Sequence, residues 1–220
     1  VPQDHLAAPV STRPAQETPD VVIGNVTPKY TSQNPAIRWV TRRWVANLER
    51  VMDQIAAQAG DRRLRALEVG CGEGVVSGKL HQRCPGPVSV DLPDAGLRAQ
   101  WRSHDGPRFL HADAHRLPFR DNQFDVIVSV EVLEHLTDPE RGLAEIARVG
   151  REHIVVSVPR EPIFRTCNLL AGRYVSDLGN TPGHLNHWST RGFVKFVSRV
   201  ADIREVSKPF PWTTVWATLR

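Results

Sequence analysis

Long apolar runs are missing: nowhere in the 220 residues does one approach the roughly 20 apolar residues that a membrane-spanning helix needs. Cysteine is nearly missing too. Cys71, Cys84 and Cys167 form no CxxC pair, and an odd number argues against a disulfide framework. The opening stretch VPQDHLAAPVSTRPAQETPD has neither the basic-then-apolar order of a secretory leader nor the arginine-rich pattern of a transit peptide. Its start at Val rather than Met is expected to reflect a missing or processed terminus. A reduced, cytoplasmic protein is the expectation. No internal repeat, dense Lys/Arg run or RNA-binding motif is present, which makes a nucleic acid the less favoured partner.

What remains is a chain with 40% hydrophobic and 24% charged residues, enough for one sizeable core and short for two. Its net charge of +4 is unevenly placed. Residues 1–150 hold 18 basic and 19 acidic side chains, against 10 and 5 in residues 151–220. The cationic excess therefore lies in the C-terminal third, through Arg160, Arg165, Arg173, Lys195 and others, where it would attract an anionic ligand.

Residues 1–30 are rich in proline and lack periodic apolar positions, so a mobile arm is expected there. Over 31–60 an N-terminal capping helix is expected. Asn34 suits its N-cap, Pro35 its first position and Gly60 its end. Ile37, Val40, Trp44, Leu48, Val51 and Ile55 mark its buried face. From Leu64 strands and helices alternate. LRALEV, PVSVD, PRFLHAD, FDVIVSV and HIVVSVP read as strands, and the helix after FDVIVSV opens on TDPE, where Thr137 and Glu140 have capping-box spacing. ADIREVSK and TTVWATL suggest a C-terminal antiparallel pair at the sheet edge. The expected fold is α/β: one domain over 61–220, a doubly wound, mostly parallel Rossmann-like sheet. A loop-rich insertion at 160–188 is expected to form a substrate lid.

Ligands of such sheets bind beyond the carboxyl ends of the strands. There lies LEVGCGEG, Leu67 to Gly74, with glycines at 70, 72 and 74 and Val75 where a third dinucleotide glycine would fall. Glu68, two residues before the first glycine, is expected to face the crevice, where it would repel a pyrophosphate and attract an ammonium or sulfonium. Asp91 ends the second strand, at the distance where a carboxylate holds ribose hydroxyls. Asp113 ends the third, placed to accept from an adenine amino group while the Ala114 N–H donates to the ring. S-adenosylmethionine carries both cations and no phosphate.

LEVGCGEG, VDLPD, ADAHRLPF and FDVIVSVEVLEHL, together and in order, resemble the class I S-adenosylmethionine-dependent methyltransferases over roughly Leu64 to Pro159, in particular the type 11, ubiquinone-biosynthesis-like group. The resemblance implies that Glu68, Gly70, Cys71, Gly72, Asp91, Leu92, Asp113, Ala114, Ser129 and Val130 form the cofactor site. Pro93 departs from the small or polar residue usual after the ribose acid.

Glu131, Glu134 and His135 fall at i, i+3 and i+4, on one face if that turn is helical. With a later histidine from GHLNHW, through His187 or His184, they would hold a divalent metal. That set resembles the metal-dependent small-RNA 2′-O-methyltransferases and O-methyltransferases of ubiquinone synthesis. Without metal, His135 and His187 are the candidate bases. The lid offers Arg160, Phe164, Tyr174, His184 and Trp188 to an aromatic or anionic acceptor. The expected activity is methyl transfer to a small molecule, preferably at oxygen. Its rivals are an RNA methyltransferase and a catalytically silent cofactor-binding partner subunit.

Overall fold

The computed structural model describes residues 29–220, so the arm expected over 1–30 lies, up to residue 28, outside the described residues. The long helix α1 spans Pro35–Ala59 and begins where the Asn34 side-chain oxygen accepts the N–H groups of Ala36 and Ile37, satisfying two donors that the first turn leaves free. It ends at Gly60, whose φ of 58° suits a residue without Cβ.

Seven strands follow: β1 Ala66–Val69, β2 Val88–Asp91, β3 Arg108–His111, β4 Phe124–Val130, β5 Gly150–Pro159, β6 Ala201–Ser207 and β7 Trp212–Leu219. They form a single sheet in the order β3-β2-β1-β4-β5-β7-β6. The first five pair in parallel, while β7 runs antiparallel between β5 and β6. The order reverses beside β1, so the crevice of a doubly wound sheet opens above the ends of β1 and β4. The connecting helices are α2 Val75–His81, α3 Ala95–Trp101, α4 Pro139–Val149, α5 Ile163–Leu170 and α6 Thr190–Val197. Among the described residues no helix is long and apolar enough to cross a membrane.

Every residue of β4 is buried, as a central strand covered on both faces requires. Its side chains divide between two cores. Val126, Val128 and Val130 join Trp44, Leu48, Val51 and Ile55 of α1, whereas Ile127 packs with Leu143 and Ile146 of α4 and Phe193 of α6. Trp44 lies at the centre of the first core. It stacks on Trp212 at 5.1 Å between ring centroids, and its indole N–H donates to the Ser157 hydroxyl on β5 at 3.0 Å. One helix thereby clamps the strands whose ends carry the site.

Three local expectations are corrected. The cap of α4 is Asp138, which accepts the Arg141 N–H, and not Thr137. The Asp138 carboxylate, directly before Pro139, reaches the first turn, so the capping-box spacing from Thr137 is coincidental. Glu131 to His135 is no α-helical turn: Glu131 takes a left-handed φ of 61° and only Leu133–His135 forms a 3-10 turn. The loop-rich segment after Pro159 contains a further helix, α5, only eight residues long and without a capping side chain at its start.

Candidate active site

The loop after β1 is tied to the end of β2. The N–H groups of Gly70 and Cys71 donate to the Val90 carbonyl at 2.8 and 3.0 Å. The Asp91 carboxylate accepts from the Gly72 N–H at 2.6 Å and from the Leu92 N–H at 2.8 Å, and the Trp101 indole N–H caps the Gly72 carbonyl at 2.8 Å. Gly70 has a φ of 76°, and a Cβ there would collide with the Val132 side chain, so this position requires glycine. At Gly72, with a φ of 50°, a Cβ would meet nothing within 4 Å, so the backbone faces open crevice. That is the surface against which a ligand can lie closely. Burial raises the Asp91 pKa, while its two backbone donors work to hold it down.

Glu68 does not face that crevice. Its side chain is 1% exposed and accepts from the Ser77 and Ser89 hydroxyls beneath the loop. Strand parity explains the correction: Glu68 shares a face with the α1–α2 layer, opposite Leu67 and Val69. Burial pushes its pKa up to about 8, so at neutral pH it carries little charge. The Cys71 thiol, also raised by burial, stays protonated. The strand-end acids left for the crevice are Asp91 and Asp113. Asp113, half exposed, accepts from the His115 N–H and bonds its imidazole, with Ala114 buried beside it. Burial opposes ionisation of Asp113, but His115 and Arg141 outweigh it and hold its pKa low. At the end of β4, Ser129 is 1% exposed and its hydroxyl has no partner among the described residues, with Val130 buried next to it.

Beyond β4 stands a second group of polar side chains. The Lys29 ammonium donates to Glu131 at 2.8 Å and lies over the Trp44 ring, 4.8 Å from its centroid. Burial works to lower the Lys29 pKa, but the Glu131 carboxylate and its neighbours reverse the effect. Glu134 is 1% exposed, and neither of its carboxylate oxygens has a partner among the described residues. Burial and the nearby Glu131 charge raise its pKa well above the usual carboxylate range. His135 Nδ1 lies 2.9 Å from the Gly183 carbonyl, which can only accept, so Nδ1 carries the proton and Nε2 has the lone pair. The His184 ring stands edge-on to it at 4.9 Å. Burial lowers both imidazoles, His184 to about 3. Both are neutral at pH 7, as proton acceptance and metal ligation each require.

Glu134, His135 and His184 offer ligand atoms all within 4.8 Å of one another. The expected set of Glu131, Glu134, His135 and His187 is corrected at two positions. Glu131 already holds Lys29, and His187 is exposed with its ring bonded to Asn180 at 2.7 Å. His184 and His187 lie an odd number of residues apart on an extended segment and so point to opposite sides. His184 takes the inner place.

The lid candidates separate. Phe164 of α5 packs on His184 at 5.7 Å and on Trp212 at 6.2 Å, bordering the histidines. Arg160, at the end of β5, keeps a buried Nε without a partner among the described residues. Trp188 instead packs on Phe193 and Phe196 of α6, in the other core, and no ring contact among the described residues brings Tyr174 to the histidines. Trp188 is therefore a packing residue. Two side chains escaped the sequence reading. Asn186 donates to the Leu136 carbonyl at 2.6 Å, pinning the lid to the turn that carries Glu134 and His135. Lys29 pairs across 102 positions with Glu131, a distance no local pattern reports.

Residues 67–154 match the family model described as a methyltransferase domain. An uncharacterised methyltransferase of Mycobacterium tuberculosis is 30% identical over 148 residues, covering 66% of this chain and 68% of that protein. A ubiquinone biosynthesis O-methyltransferase of Hahella chejuensis is 29% identical over 153 residues, or 66% of this chain and 61% of the relative. Among solved structures, magnesium protoporphyrin IX methyltransferase from Synechocystis, with bound S-adenosylhomocysteine, superposes with a TM-score of 0.63 at 16% identity, covering 86% of this chain and 89% of that one.

Proposed function

The chain belongs to the class I S-adenosylmethionine-dependent methyltransferases, and we propose that its acceptor is a small molecule methylated at oxygen beside Glu134, His135 and His184. The Gly72 backbone facing open space, with the Asp91 carboxylate beneath it, fits S-adenosylmethionine. Asp91 would take the ribose, Asp113 and Ala114 the adenine, and Gly70 to Gly72 with Ser129 the methionine portion. The bound compound supplies a methyl group on a positively charged sulfur. The chain's own task is to align the acceptor, exclude water and remove one proton.

One observation carries the reading at oxygen: a half-buried imidazole, His135, with its lone pair on Nε2 and its other nitrogen fixed by the Gly183 carbonyl. A hydroxyl acceptor loses its proton to such a group. The name of the Hahella relative points the same way. The residues also fit a divalent cation, because Glu134 is buried with both carboxylate oxygens unpartnered between two neutral histidines. Glu134, His135 and His184 would hold it, and it would lower the pKa of the acceptor hydroxyl. Residues 160–188, pinned by Asn186, would act as the lid. The C-terminal cations give little support to RNA: Arg199 pairs with Glu140, Arg220 with Asp202, and Arg165 bonds the Leu178 carbonyl.

The test is turnover with methyl-labelled S-adenosylmethionine on pooled small hydroxylated acceptors. Label should enter a small product as a methyl ether or ester. A rate that falls at least tenfold on chelation of divalent ions, returns on adding metal, and falls irreversibly in Glu134→Gln would assign the group to a divalent cation. Undiminished turnover after chelation would remove the metal and leave His135 as the base. Label found only in RNA would overturn the acceptor class.

A further inference from the structure

A cleft of about 730 Å³ opens on the side of α1 that faces α2, within the size range of small-molecule sites. Its wall on α1 is a single helical stripe. Arg38, Thr41, Arg42 and Val45 fall at i, i+3, i+4 and i+7, so all turn toward the same space. Lys79 of α2 stands opposite, and Val75 at the start of α2 joins the cleft to the glycine loop. At its inner end are Lys29 and Tyr30, and Lys29 is the residue bonded to Glu131. The cleft thus ends one side chain, Lys29, away from the group that holds Glu131 and Glu134.

Its charge is unbalanced. Glu49 is its acidic lining residue, and that carboxylate already serves Lys79 at 3.1 Å and Arg83 at 3.6 Å. Arg38 and Arg42 are exposed and have no ion pair among the described residues. The Thr41 hydroxyl between them is buried and has no partner among the described residues. Two guanidinium groups one helical turn apart form a fork for an oxyanion. The crevice next door carries Asp91 and Asp113, which suits a cationic cofactor and repels an anion. This division of charge has a use: an acceptor with an anionic end is drawn into the basic cleft and leaves its other end beside His135.

We propose that this cleft binds the phosphate or carboxylate group of an anionic acceptor through Arg38 and Arg42, with Lys79 opposite, a reading that rests on the methyltransferase assignment and narrows its substrate class. The test is calorimetry on the full chain at low ionic strength with inorganic phosphate and, separately, acetate. The wild type is compared with Arg38→Gln/Arg42→Gln and with a control pair elsewhere, Arg102→Gln/Arg120→Gln. The double variant should bind the favoured anion at least tenfold more weakly, and the control should match wild type. Preference for phosphate or for acetate assigns the group. Equal affinity in all three proteins, or no binding of either anion, overturns the proposal, and so does a short oligoribonucleotide that binds the cleft more tightly than either anion. Titration of the same samples with S-adenosylmethionine separates the two readings. Unchanged cofactor affinity in the double variant isolates the loss to the cleft, whereas wild type that ignores the cofactor would refute the parent assignment instead.

Discussion

Asp91→Ala should weaken S-adenosylmethionine binding about 100-fold or more, equivalent to about 2.8 kcal/mol. The carboxylate has two tasks, and alanine removes both. It anchors the glycine loop through the Gly72 and Leu92 N–H groups, each a charge-assisted bond of the kind that contributes about 1.5–3 kcal/mol. It is also the acid placed to receive ribose hydroxyls. Asp91→Asn keeps one acceptor oxygen for the loop but loses the charge, and an intermediate loss of about tenfold is expected, again by the 1.4 kcal/mol per decade conversion. Calorimetric titration of both variants checks the order. An alanine variant that binds like wild type would show that the ribose lies elsewhere.

Trp44→Ala should destabilise the fold by about 3–5 kcal/mol, the usual range for emptying a large aromatic site in a core. Trp44 is fully buried, with Trp212 on one side and Tyr30 at 6.4 Å on another. Its indole N–H is a partner of Ser157, which retains a bond from the Thr214 hydroxyl when the indole is lost. Most of the cost is therefore cavity and lost packing. Trp44→Phe keeps part of the stacking and should cost clearly less. Urea denaturation checks both variants: the midpoint should fall with an unchanged slope. The damage should extend to function, since the same ring supports the Lys29 ammonium above Glu131.

The sheet was legible because its evidence is local. FDVIVSV announces a strand buried on both faces, Asn34-Pro35 announces the start of α1, and Asp91 and Asp113 at successive strand ends announce the crevice. Glu68 was misjudged because its orientation depends on which layer covers its face, a tertiary fact that LEVGCGEG does not contain. The acid–histidine group was half legible. Glu134 and His135 stand together in sequence, but their partner depends on how the lid returns. Two histidines three residues apart in GHLNHW cannot both point inward from an extended segment. Lys29 was hidden by its surroundings, the last charged residue of a proline-rich arm, with its partner 102 positions away. The basic cleft was hidden as well. Counting charges along the chain puts the cationic excess in the C-terminal third, whereas Arg38 and Arg42 become a pair only once α1 presents them on one face toward α2.

The most direct measurement is calorimetric titration of the full chain with S-adenosylmethionine and, in parallel, with NADH. The crevice above β1, β2 and β4 is lined by carboxylates and an open glycine backbone, so the sulfonium compound should bind at one site and NADH should give no heat. Saturable NADH binding, or a chain that ignores S-adenosylmethionine, would contradict the assignment of this crevice.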